Sequence, residues 1–250
     1  MSARKAAMVL PVLITLVVGA AIGGLIVTQN QRQDEQVAKA EAIGRDYLSA
    51  AAEFQAGVAK SIKAADSTKL EEITRALNAA IAKPPKLPSA SAYGRQNSST
   101  YREAIDVRSM LLGPYKRLGR QLKEARVAET FIAEARKLLE MRATDFVGAS
   151  VITSSGVVRS RLIPAFVNAR DAFDAVPVPK GQEELASTIH DAAQYVVDQA
   201  TLLADRIDAR KSFSFSYAAQ FQAAADALND YGTTIEGDVT EAVNVVIEAG

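Results

Sequence analysis

The apolar positions of the chain begin as one unbroken run near the N-terminus. The residues from Ala6 to Val27 are almost wholly apolar, and no ionisable side chain occurs between Lys5 and Arg32. As a helix, these 22 residues would span roughly 33 Å, which matches a hydrocarbon core of about 30 Å. The apolar region of a signal peptide is shorter, at about 7–15 residues. The run therefore predicts a transmembrane signal-anchor helix over residues 6–28.

The charges that flank this run predict its orientation. Arg4 and Lys5 precede it, whereas Arg32 on the other side is followed by two acidic residues. Because positively charged flanks stay in the cytoplasm, we expect residues 1–5 to be cytoplasmic. Residues 29–250 are then extracytoplasmic, and the protein is a single-pass protein of the cell membrane.

Small residues in the middle of the run allow two interpretations. Val18-Gly19-Ala20 is a weak signal-peptidase motif, although cleavage after Ala20 would leave a strongly apolar new terminus. The second interpretation is helix packing. The pairs Gly19/Gly23 and Ala20/Gly24 have the small-xxx-small spacing that lets membrane helices approach closely. We expect an uncleaved anchor, and these four residues are the candidate packing positions.

Beyond the run, the apolar residues narrow to one stripe. They recur every three or four positions, which is the spacing of one helical face: Val37, Ala40, Gly44, Tyr47, Ala51, Phe54, Val58 and Ile62. No proline interrupts this stripe. It predicts that the membrane helix continues into a soluble helix that ends near Ala65.

Further stripes and helix breakers divide the rest of the chain. Two capping boxes predict helix starts at Thr68-Lys69-Leu70-Glu71 and Thr100-Tyr101-Arg102-Glu103. Breaks or bends are predicted at Gly113-Pro114, Thr153–Gly156, Pro164, Pro177–Gly181 and Lys211–Ser216. Short connections between long amphipathic helices favour antiparallel neighbours. The predicted fold class is all-α: the transmembrane helix continues into one extracytoplasmic antiparallel bundle of about five to seven helices.

The segment 83–99 has the composition of a loop. It contains three prolines, several serines and a glycine, and its apolar residues follow no period. A loop of this length is unusual in a small domain. We expect it to be flexible, or to be held in place by a partner.

Charge and cysteine content exclude several functions. Lys+Arg and Asp+Glu are both 29, so the formal net charge is zero. A general nucleic-acid binder needs a basic surface, and we expect no nucleic acid among the partners. The chain has no cysteine, which excludes disulfides, a thiolate nucleophile and a cysteine zinc site.

The sequence contains no recognisable catalytic or metal-binding pattern. His190 is the only histidine, and its neighbour Asp191 should point away from it on a helix. Asp226 and Asp230 share a face of the last helix, but no calcium-loop motif accompanies them. We expect no catalytic residue, no cofactor and no metal, and we interpret the acidic face as solvated or as a docking surface.

A basic group near the middle of the chain is the remaining candidate site. Lys116, Arg117, Arg120 and Lys123 have the same sign and lie within two helical turns. They are candidates for contact with anionic lipid headgroups or with an acidic partner.

Three functions remain at this stage. The leading hypothesis is a non-enzymatic accessory or scaffold subunit, anchored in a bacterial membrane. Its bundle would dock onto a larger membrane or envelope complex, such as a respiratory complex. The alternative is a ligand sensor that acts through a transmembrane partner. The third, an enzyme, would require a pocket that gathers carboxylates. Expected partners are membrane lipid and either an integral membrane protein or further copies of the chain.

Overall fold

The structure, a computed structural model, describes residues 29–148 and 152–250. Helices account for 79% of these residues, and no strand occurs among them. The all-α prediction is confirmed for this part of the chain. None of the helices within these two ranges is long and apolar enough to cross a membrane. The predicted transmembrane segment 6–28 lies outside the described residues.

The described ranges contain ten α-helices and one π-helical turn. Seven of the helices have at least eleven residues, and three are short additions that the apolar pattern did not predict. Their bounds are α1 Gln29–Ala64, α2 Leu70–Ala80, α3 Ala92–Asn97, α4 Ser99–Met110, α5 Gly113–Leu139, α6 Thr144–Val147, α7 Ser155–Val157, α8 Ile163–Asp174, α9 Glu183–Asp208 and α10 Ala218–Glu248. The π-helical turn is Val158–Leu162, immediately before α8.

The described residues divide into two compact units, where the sequence predicted one domain over 29–250. The first unit comprises residues up to Lys116 together with Val243–Gly250. The second comprises Arg117–Ala242. Each unit has its own buried apolar cluster.

In the first unit, the predicted stripe of α1 is the buried face of the helix. Its central members are almost fully buried: Ala40, Tyr47, Ala51, Val58 and Ile62. Tyr47 and Ala51 pack with Ala104 and Leu111, beyond which Val107 and Leu87 are partly buried. Burial of the stripe commits α1 to the bundle along most of its length.

α1 and α4 run in the same direction, which corrects the antiparallel prediction for this pair. Gly44 of α1 lies against the backbone of Thr100 at the start of α4. Further along both helices, Ala51 packs with Leu111, which follows α4. Parallel neighbours need a return connection, and α2 with the segment after it supplies one.

Part of the segment 83–99, for which the sequence predicted a flexible loop, makes hydrogen bonds to other residues of the first unit. The Tyr101 hydroxyl donates to the Pro88 carbonyl at 2.8 Å and accepts from the Ala90 amide at 3.2 Å. The Ser91 hydroxyl donates to the Gln36 side chain of α1 at 3.1 Å. The segment then forms α3 and the first residue of α4. The chain itself therefore holds this segment in place.

Neither predicted capping box has the expected geometry. Ser98, rather than Thr100, caps α4 by accepting from the Tyr101 amide at 3.1 Å. Before α2, the Asp66 carboxylate accepts from both the hydroxyl and the amide of Thr68, at 2.6 and 3.0 Å. These hydrogen bonds, with a smaller contribution from Lys69, lower the pKa of Asp66 to about 2.

Removing the hydroxyl group should have different effects on stability at two buried tyrosines of the first unit. Tyr101→Phe should lower the free energy of unfolding by about 1–3 kcal/mol, because it leaves the Ala90 amide without its partner. The Tyr115 hydroxyl is buried with no hydrogen-bond partner among the described residues. Tyr115→Phe should therefore be neutral or stabilising by up to about 1 kcal/mol. Thermal unfolding followed by circular dichroism measures both changes.

Alkaline pH supplies a second readout for the Tyr115→Phe variant. Burial raises the pKa of Tyr115 above its usual value, so the neutral phenol favours the folded state. That contribution is fully present below pH about 10, where tyrosine ionises in the unfolded chain, and is lost as the pH rises further. Tyr115→Phe should lose less stability than the wild type above this pH. An equal loss in both proteins would contradict the buried, unpaired hydroxyl.

In the second unit, neighbouring helices run in opposite directions. Along α5 and α10, Arg117 pairs with Glu241 at 3.3 Å, and the Ala143 amide donates to the Tyr217 hydroxyl at 2.8 Å. The core between the helices contains a cluster of aromatic rings among aliphatic side chains. Phe166 of α8 packs against three rings, those of Phe146, Tyr217 and Phe221, with centroids 6.0–6.1 Å away.

The bend predicted at Pro164 occurs just before that residue. Pro164 lies in the first turn of α8, where a missing N–H costs little, and the irregularity is the π-helical turn that precedes it. Arg159 of this turn bridges Asp205 at 2.8 Å and Asp208 at 2.9 Å on α9. These exposed ion pairs fix the turn against α9.

Candidate functional site

An open cleft of about 1000 Å³ lies in the second unit, lined by α5, α10, the start of α9 and the α8–α9 turn. Its lining combines both signs of charge with apolar side chains. The basic residues are Arg120, Lys123 and Lys180, and the acidic ones are Glu124, Glu184, Asp230 and Asp238. The apolar part includes Val127, Val178, Leu185, Tyr231 and Ile235.

The cleft exists because α8 is shorter than the helices beside it. α8 ends at Asp174, which lies 3.0 Å from His190 of α9, and its last buried ring, Phe173, packs against Phe131 of α5 at 5.2 Å. From that level, α5 extends a further 14 residues back to Arg117 within this unit. Beside this part of α5 and its partner α10, the turn after α8 and the start of α9 form the rest of the cleft lining.

The α8–α9 turn forms one wall of the cleft. Gly181 adopts a positive φ of 79°, a conformation that glycine reaches without steric cost. Pro179 is buried, which orients the turn, whereas Val178 is 45% exposed at the cleft. Across the cleft, Val127 of α5 is 37% exposed. The wall therefore presents apolar surface to solvent.

The charges of the lining separate by helix. α5 contributes Arg120 and Lys123, which lie on one face at a spacing of three residues. α10 contributes Asp230 and Asp238, which lie two helical turns apart. No basic residue of α10 lines the cleft. Glu124 is the exception on the α5 side. The cleft can therefore receive a molecule that carries opposite charges along its two edges.

Tyr231 forms part of the floor of the cleft. Its ring packs edge-on against Phe131 of the core, with centroids 6.4 Å apart. Burial raises the pKa of Tyr231, and the charge of Glu124 adds to this effect. The hydroxyl therefore stays protonated at neutral pH and can donate a hydrogen bond to an occupant of the cleft.

The structure brings together only part of the predicted basic group. All four residues are exposed on α5. Arg120 and Lys123 line the cleft, and Arg117 instead pairs with Glu241 of α10 at 3.3 Å. Lys116 belongs to the first unit. The sequence thus located one edge of the cleft without indicating the cleft itself.

The other predicted positions have separate outcomes. Gly19, Ala20, Gly23 and Gly24 lie outside the described residues. His190 contacts both carboxylate oxygens of Asp174 at 3.0 Å, as a partly exposed pair between α9 and α8. Within residues 29–148 and 152–250, no group of three or more potential ligands is placed to hold a metal ion.

The role of the turn residues in the cleft was not predicted from the sequence. Val178 and Lys180 were part of a predicted break and had no assigned role. The feature that could have identified them is a valine flanked by two prolines, because residues in turns are usually polar. Asp230 was recognised as part of an acidic face, but its position opposite Arg120 needs the antiparallel pairing of α5 with α10.

Comparisons with protein-family models, with curated proteins and with solved structures find no match to this chain.

Proposed function

We propose that the protein is a non-enzymatic, single-pass accessory subunit of a bacterial membrane or envelope complex. Its apolar segment 6–28 anchors it, residues 1–5 remain in the cytoplasm, and the helical bundle docks onto larger partners outside the membrane. The observation that carries this proposal is the open cleft of the second unit, with exposed apolar side chains and charges of both signs.

Exposed apolar surface inside the cleft supports docking. Five large apolar side chains are exposed among the described residues, and two of them, Val127 and Val178, line the cleft. Single exposed apolar residues need no explanation, but a group of them in a concavity with a polar rim is typical of interaction sites. A partner that covers these residues would gain the free energy of removing them from water.

The course of α1 supports the anchoring part of the proposal. α1 follows the apolar run 6–27 in the sequence after one further residue, Thr28. Its buried stripe ties it to the first unit over many turns. A membrane helix attached to α1 would therefore hold the bundle close to the membrane surface, where an accessory subunit contacts its partners.

The volume of the cleft also favours the second candidate, a ligand sensor. Small-molecule sites have volumes of about 300–1000 Å³, and this cleft has about 1000 Å³. In this candidate function, the sensor would act through a transmembrane partner. The two candidates differ in what occupies the cleft: a protein segment or a diffusible molecule.

Extraction in mild detergent tests the proposal. The affinity tag is placed before Met1, because Gly250 packs closely against Gln55 and Ala59 of α1. We expect the tagged chain to be retained in the membrane at its full mass and to co-purify with defined membrane or envelope proteins identified by mass spectrometry. A full-mass chain that carries a bound small molecule, either alone or with a transmembrane partner, would favour the sensor instead.

A further inference from the structure

The dimensions of the cleft are those of a short helix. The α10 residues that line it extend from Ala227 to Asp238, which corresponds to roughly 17 Å, or about three turns. A helix of that length with a diameter of about 10 Å has a volume of roughly 1300 Å³, so the open cleft of about 1000 Å³ can receive most, but not all, of its cross-section. The cleft also begins where α8 stops, so α5 and α10 flank it with only the start of α9 and the α8–α9 turn beside them.

We propose that this cleft binds an amphipathic helix of about three turns from a partner protein. The partner helix has an apolar stripe, a basic edge that faces α10 and an acidic edge that faces α5. This inference rests on the proposed function and names the site and the kind of partner segment that the function requires.

The floor of the cleft consists of apolar side chains from three elements. Val127 lies on α5, Val178 on the turn, and Tyr231 and Ile235 on α10. Helices pack by inserting the ridges of one into the grooves of another, and the i, i+4 pair Tyr231/Ile235 forms such a ridge. An occupant with apolar residues at i, i+3 and i+4 would continue the bundle in the place that α8 leaves open.

The charges that line the cleft fix the orientation of the occupant. Asp230 and Asp238 on α10 attract Lys or Arg along one edge of the partner helix, and Arg120 and Lys123 on α5 attract Asp or Glu along the other. The reversed arrangement would place like charges together, which costs several kcal/mol across an interface. A lipid headgroup or a small anion would use the basic residues alone.

Photo-crosslinking in native membranes tests the proposal on the full-length chain. Val127 is replaced by the photoreactive residue p-benzoylphenylalanine, and the crosslinked peptide is sequenced by mass spectrometry. The matched control carries the same residue at Leu202, which is exposed on α9 and does not line the cleft. We expect position 127, and not 202, to crosslink to one protein, within a helical segment that carries a basic edge.

Charge reversal distinguishes a specific binding site from nonspecific apolar binding. Asp230→Lys combined with Asp238→Lys should reduce the crosslink from position 127 by roughly tenfold or more, because both attractions become repulsions. The control, Glu236→Lys, changes an exposed residue of the same helix that does not line the cleft and should leave the yield unchanged.

Several outcomes overturn the inference. These are crosslinks to lipid or to a second copy of the chain, a yield that survives the double reversal, or no crosslink at position 127. If co-purifying proteins persist in any of these cases, the partner docks elsewhere and only the cleft assignment fails. If no protein co-purifies at all, the proposed function fails as well.

Discussion

Phe166→Ala is expected to lower the free energy of unfolding of the second unit by about 3–5 kcal/mol, the usual cost of removing a buried phenylalanine ring. Phe166 is fully buried and packs against Phe146, Tyr217 and Phe221. These rings come from two separate parts of the chain, α6 and the start of α10, so the cavity cannot be refilled by one local shift. At about 2–4 °C per kcal/mol, the thermal midpoint should fall by roughly 10 °C.

The control for this prediction is Leu202→Ala, at an exposed position of α9. It also removes an apolar side chain, but it leaves no cavity, and surface substitutions usually change stability by less than about 0.5 kcal/mol. Circular dichroism melts of the two variants in the same detergent give the comparison. Equal melting temperatures for Phe166→Ala and Leu202→Ala would contradict the aromatic core.

Gly44→Ala is expected to destabilise the first unit relative to Gly57→Ala by about 1–3 kcal/mol. A methyl group at Gly44 would lie 2.9 Å from the carbonyl carbon and oxygen of Thr100, so α1 and α4 would have to separate. Overpacking of this kind costs about 1–3 kcal/mol. No atom lies within 4 Å of the corresponding position at Gly57, where alanine should stabilise the helix by about 1 kcal/mol.

The pair is informative because both glycines lie within α1. The gain in helix propensity is the same for each substitution and cancels in the comparison, which leaves the contact with α4. Thermal unfolding of both variants measures the difference. If Gly44→Ala were as stable as Gly57→Ala, the close approach of α1 and α4 would be wrong.

Local patterns in the sequence predicted most helix ends of the described chain. The stripe of α1 was predicted to end near Ala65, and the helix ends at Ala64. The breaks at Pro177–Gly181 and Lys211–Ser216 lie in the gaps before α9 and α10, and Gly113-Pro114 forms the start of α5. These features depend on residues within a few positions of each other, and backbone sterics decide them locally.

The sequence could not predict how the return segment is held. A composition rich in proline and serine is typical of a mobile loop, but hydrogen bonds to Tyr101 and Gln36 fix residues 88–91. These partners are separated from the segment by up to 55 residues in sequence. A pattern of nearby residues contains no information about such distant contacts, and the parallel course of α1 and α4 was missed for the same reason.

The candidate site was only half predictable. The charge pattern indicated Arg120 and Lys123 on one helix, and an acidic face that includes Asp230 on another. Their relation depends on the pairing of α5 with α10 and on the early end of α8 at Asp174. The cleft is therefore a property of relative helix lengths, which apolar periodicity does not reveal.

The ratio of partner to chain in the detergent extract tests the central claim most directly, because an accessory subunit must be bound to its complex. The account predicts a fixed ratio close to that of a stoichiometric complex, with the tagged chain at full mass. The ratio should be the same for the wild type and for Glu236→Lys. A tagged chain that elutes alone, at the mass of a monomer and with no protein in constant proportion, would contradict the account.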